Sequence, residues 1–130
     1  MADKERLAEL RELVERAAEL ANSDAELTFR AMFGGIGGYA DGRVFACIWQ
    51  DGIGLKLSDE HQEALLDVDG AKRLQFDSSM PPSKHYIMVP EALLPNTSLL
   101  GDWVAKSIAY VQTLPLPAKR NGSRGNKSRG

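Results

Sequence analysis

A chain of 130 residues has room for one domain, and 43% hydrophobic with 26% charged residues is the balance of an ordinary globular protein. No apolar run approaches the roughly 18–20 residues that span a bilayer, and charge beginning at Asp3 is not the start of a signal peptide. The net charge of −2 hides a division: residues 118–130 carry five basic side chains and no acidic one, whereas the remainder holds 11 Lys and Arg against 18 Asp and Glu.

Residues 3–21 place Leu7, Leu10, Val14, Ala17 and Ala21 on one helical stripe, with Glu, Arg and Lys elsewhere. An amphipathic helix is expected there, ending at Asn22, Ser23 and Asp24. A β region follows: residues 27–33, a glycine-rich connection, residues 43–50 and residues 53–58. Seven of the 12 glycines fall between Gly34 and Gly54. Asp41–Gly42 and Asp51–Gly52 are dipeptides that favour the positive φ of tight hairpin turns. A three-stranded antiparallel meander is expected, with Tyr39 at the tip of the glycine loop. Ser58 or Asp59 then caps a short helix ending near Asp69–Gly70. Residues 72–76 and 85–89 read as two further strands separated by Pro81–Pro82. The last helix covers residues 99–113 and stops before Pro115 and Pro117.

The expected fold class is α+β: an antiparallel sheet of about five strands, in the order α-β-β-β-α-β-β-α, with helices packed on one face. Residues 1–117 form the domain and residues 118–130 a disordered basic tail, because that segment has no apolar anchor to offset the entropy of ordering. One cysteine, Cys47, fits a reducing compartment, and the cytoplasm is expected.

No catalytic constellation stands out. Gly35, Gly37 and Ala40 match a dinucleotide-binding spacing, but that turn must join a strand to a helix, and here a β-branched, aromatic segment follows. His61, His85 and Cys47 lack metal-ligand spacing, so no metal and no cofactor is expected. Cys47 reads as a small buried hydrophobe, and Trp49 and Trp103 as core residues. Residues that exceed a structural account are Arg30, Met32, Phe33, Gly34, Gly35, Ile36, Tyr39 and Lys56, a candidate interaction surface of apolar and cationic side chains around the glycine loop. In the tail, Lys119, Arg120, Arg124, Lys127 and Arg129 are candidate weak nucleic-acid contacts; an acidic body confines any such contact to this segment.

The stretch RAMFGGIGGYADGRVFACIWQDGIGLKLSDE (residues 30–60) resembles the N-terminal domain of the TfoX/Sxy competence-regulator family. Arg30, Met32, Phe33, Gly34, Gly35, Gly38, Tyr39, Gly42, Phe45, Ala46 and Lys56 occupy the family's positions. HYIMVPEALL (residues 85–94) is similar to its aromatic strand running into Val-Pro-Glu, and the final helix to its closing helix. The resemblance implies helices against an antiparallel sheet, a link to transcriptional or competence regulation, and no enzymatic activity. The expected function is a non-catalytic regulatory or protein-interaction module, with a protein partner, a homodimer formed through a sheet edge or the first helix, and no membrane. The alternative is a small-ligand or weak nucleic-acid binder using the glycine-rich hairpin loop and the tail.

Overall fold

The computed structural model describes residues 4–21, 24–32, 34–75 and 79–116. Three α-helices, α1 (Lys4–Ala21), α2 (Asp59–Leu66) and α3 (Thr97–Gln112), accompany six strands: β1 (Leu27–Met32), β2 (Gly35–Ala40), β3 (Arg43–Trp49), β4 (Gly52–Lys56), β5 (Lys72–Arg73) and β6 (Tyr86–Met88). The strands form one antiparallel sheet in the order β1-β2-β3-β4-β6-β5. The helices lie on one side of it. The α+β class is as the sequence indicates, and among the described residues no helix is long and apolar enough to cross a membrane. The basic tail lies outside the described residues.

The sheet has one strand more than expected, in place of the glycine-rich connection. Gly35–Ala40 is not a hairpin connection but β2, paired along its length with β1 on one side and β3 on the other. Its glycines leave room that neighbouring side chains occupy. A Cβ on Gly38 would sit 3.2 Å from the Phe29 ring and 3.3 Å from the Phe45 ring, so those aromatics replace the side chain the strand lacks. Tyr39 consequently lies within a strand rather than at a loop tip.

Local chemistry sets the boundaries. Asp41 (φ 51°) and Gly42 (φ 84°) make the β2–β3 turn, with positive φ at both central positions. At the next hairpin Gly52 (φ 134°) already pairs with Trp49 as the first residue of β4. The Ser58 side chain caps α2 by accepting from the His61 amide, and Asn96, three residues before the expected first residue 99, caps α3 by accepting from Leu99. Strand β5 ends at Arg73, short of the expected residues 72–76; past it Leu74 N donates to Tyr86 O and Ser83 N to Leu74 O, and Phe76 lies outside the described residues.

The main core joins Leu10, Val14 and Ala17 of α1 to Leu100, Val104 and Ile108 of α3, over Phe45, Ile48, Ile53, Leu55 and Ile87 of the sheet. Helices α1 and α3 approach closely because α3 has Gly101 there; a Cβ at that position would lie 3.1 Å from the Ala17 carbonyl oxygen. A register shift at Gly38/Tyr39 leaves Phe45 as an extra residue of β3. That bulge turns Phe45 inward beside Ala46 instead of to the opposite face.

Candidate functional site

Alternation along the strands assigns each side of the sheet. Phe29, Ile36, Ile48, Ile53, Leu55 and Ile87 face the helices and join the main core. Arg30, Tyr39, Cys47, Trp49, Lys56, Tyr86 and Met88 belong to the other face, which no helix covers. On that face Cys47, Leu74 and Met88 form a second, smaller buried cluster with Trp49 and Tyr86 against it.

The sequence-selected residues divide accordingly. Arg30 and Tyr39 come together: the Arg30 guanidinium carbon lies 5.2 Å from the Tyr39 ring centroid, a cation–π stack between an exposed arginine and a half-buried ring. Lys56 shares their face but stands two strands beyond Tyr39, paired with Tyr86. Ile36 does not join them; it packs against the main core from the helix side. Gly34 (φ 80°) supplies the tight turn after β1. Gly35 is buried against the backbone of Ile48, where no side chain fits. The Met32 backbone pairs with Gly35, while the Met32 side chain and all of Phe33 lie outside the described residues, as do Lys119, Arg120, Arg124, Lys127 and Arg129. The surface therefore reduces to Arg30 stacked on Tyr39, with Lys56 farther along the same face.

On the same face, flanking Lys56 from β3 and β6, lies a pair that sequence reasoning missed. The Tyr86 hydroxyl donates toward the Cys47 sulfur. Burial pushes the Cys47 thiol above its ordinary value, against a smaller opposite pull from the Tyr86 hydrogen bond and Lys56. Burial also pushes the Tyr86 phenol well up, with Cys47 adding to the shift. Both groups are held protonated at neutral pH, which suits packing rather than nucleophilic chemistry. No spacing rule links positions 47 and 86; the β3–β4 and β4–β6 pairings together bring them into range.

Elsewhere, a shallow hollow of about 470 Å³ opens between α2 and α3, lined by Ser58, His61, Asp102, Lys106 and Tyr110 among others. His61 Nδ1 is buried there with no hydrogen-bond partner among the described residues. His85 is exposed, and its backbone serves the sheet by accepting from the Leu57 amide. Asp41, at the β2–β3 turn, is held below the usual aspartate range, first by the Glu26 amide and then by Gln112 and Arg43. Among the described residues no three His, Cys, Asp or Glu side chains gather as a metal site.

The sequence matches the family model of the TfoX N-terminal domain over residues 19–111. No curated protein and no solved structure matches the chain.

Proposed function

The chain belongs to the TfoX N-terminal domain family, and on that footing we propose that it is a non-catalytic regulatory module that works by binding another protein. The observation that carries this reading is the Arg30–Tyr39 stack on the helix-free face. Arginine and tyrosine present large, amphipathic contact area at low entropic cost and dominate many protein interfaces. The groups with displaced protonation support a structural rather than catalytic use: Asp41 holds a turn, and Cys47 and Tyr86 pack against each other. The regulatory part rests on the family, and the expected setting is the cytoplasm.

The test compares wild-type chain with an Arg30→Ala/Tyr39→Ala double variant, as bait in native extract and as the complementing copy in transcript profiling. Partners and transcript changes lost together in the folded double variant support the reading. The same proteins captured by both baits, with transcripts unchanged, overturn it.

A second reading, a small-ligand binder, shifts from the glycine loop, which is a strand, to the His61 hollow. A thermal-shift screen with nucleotides and small anions tests it: a ligand at 100 times its Kd raises stability by about 2.7 kcal/mol, and no shift across the screen removes it. Contact with nucleic acid through the tail is tested by salt-dependent retardation that disappears on deleting residues 118–130.

A further inference from the structure

The two edges of the sheet differ. One ends in β5, two residues long and made of Lys72 and Arg73. Short, charged edges of this kind resist strand addition. The other ends in β1, six residues long with Arg30 its single charge.

Hydrogen bonding at that edge follows from one contact. The Asp41 amide donates to the Glu26 carbonyl at 2.9 Å, so Glu26 and Asp41 form a hydrogen-bonded pair of the β1–β2 ladder. Such pairs alternate along antiparallel strands. In the observed register, Thr28, Arg30 and Met32 turn their backbone groups toward Tyr39, Gly37 and Gly35. Leu27, Phe29 and Ala31 therefore aim three N–H and three C=O groups outward, where no strand of the sheet lies. A groove of about 350 Å³ runs along the same edge beneath α1, lined by Arg11, Glu15, Ala18 and Glu19 above and Ala25, Leu27 and Phe29 below.

We propose that β1 pairs antiparallel with β1 of a second copy about a two-fold axis at Phe29, joining two six-stranded sheets into one. This deepens the interaction-module reading by naming one partner, and that reading stands whether or not the copies pair. Three outward residues centred on Phe29 complement their own copy: Leu27 meets Ala31 of the copy, Phe29 meets Phe29, and Ala31 meets Leu27. That register uses all six outward groups of each strand, and a shift of two residues leaves orphans. It also sets each half-buried Leu27 beside an exposed, small Ala31, so large fills small along the groove. Arg11, which lies over Phe29 at 4.8 Å, comes near its symmetry mate but keeps Glu15 at 3.6 Å. In this register Arg30 stands opposite Thr28 of the copy, one diagonal step, about 7–8 Å between Cα atoms, from both the exposed Glu26 and the Arg30 of the other, inside a Debye length at physiological salt. Two Arg30–Glu26 approaches then stand against one between the arginines, a net attraction, whereas in-register parallel pairing sets Arg30 directly beside Arg30.

Sedimentation velocity on the full chain, with amide hydrogen exchange on the same samples, tests the pairing. The expected species has twice the 14.2 kDa chain mass, and the Leu27, Phe29 and Ala31 amides exchange slowly when concentrated and quickly on dilution. Ala31→Pro removes an outward N–H without touching the β1–β2 ladder, so the variant stays folded and dimerises at least about tenfold more weakly. Arg30→Glu weakens the dimer severalfold, and Glu26→Arg added to it restores the affinity. A monomer at every attainable concentration overturns the proposal. So does a dimer in which those three amides exchange fast and Ala31→Pro changes nothing. The exchange pattern of the wild-type chain decides the matter even if a variant fails to fold.

Discussion

Ser107 in α3 reaches down to the bulge in β3, its hydroxyl 2.9 Å from the Phe45 carbonyl oxygen and 2.8 Å from that of Lys56. A bulge leaves its extra residue outside the ladder, and a buried carbonyl without a partner is costly. One serine hydroxyl, fully buried, shares its single proton between the two oxygens and ties the last helix to the middle of the sheet. Ser107→Ala leaves these carbonyls without that donor and is expected to cost about 1–3 kcal/mol, read as a lower urea midpoint with unchanged slope. A loss below about 0.5 kcal/mol would show that water replaces the hydroxyl.

Glycines of β1–β2 separate into two kinds. Gly38→Ala meets the Phe29 and Phe45 rings at 3.2 and 3.3 Å, so overpacking outweighs the entropy gained, and a net loss of about 1–2 kcal/mol is expected. Gly34→Ala has nothing within 4 Å but φ of 80°, so its loss of about 1 kcal/mol comes from backbone strain. Gly34→Asn, which tolerates that conformation, is expected to recover part of this loss, whereas no side chain recovers Gly38.

Acid stability should carry the mark of Asp41. Its carboxylate accepts the Glu26 amide at 2.9 Å and the Gln112 side chain at 3.2 Å, and its folded pKa is depressed. A depressed carboxylate contributes stability that is present above its unfolded pKa, about 3.9, and is lost as pH falls through the lower folded value. Asp41→Asn keeps the left-handed turn but removes this titration, so the variant's stability should change less between pH 5 and pH 2 than the wild type's. Parallel curves would exclude Asp41 as a source of the acid dependence.

Cys47 should resist alkylation in the folded chain at pH 8, because burial holds the thiol above its ordinary value and hides it. Labelling then follows unfolding. Tyr86→Phe removes the one hydrogen bond that favours the thiolate, so it slows any native-state labelling further unless the packing opens. Fast labelling of the wild type would mean that the helix-free face exposes this site.

Two kinds of information came from the residues. Repeats of 3.6 marked α1 and α3, Asp41–Gly42 marked a hairpin, and Arg30–Lys56 carried the family likeness that the match over residues 19–111 bears out. Of the candidate surface, Arg30 and Tyr39 meet, but Ile36 turns to the core. Nothing in the spacing tells the two faces of a glycine-rich strand apart, because glycine has no side chain to show a period of two.

Local order in this protein was legible because helix stripes, caps and turns depend on residues a few positions apart. The Phe45 bulge bound by Ser107 and the Tyr86–Cys47 contact depend on residues that are distant in the chain, and β2, though it pairs with its sequence neighbours, lacks the side chains that would show a strand. Only packing decided them: Phe29 and Phe45 take up the volume that Gly38 leaves open, and that makes a run of glycines an interior strand.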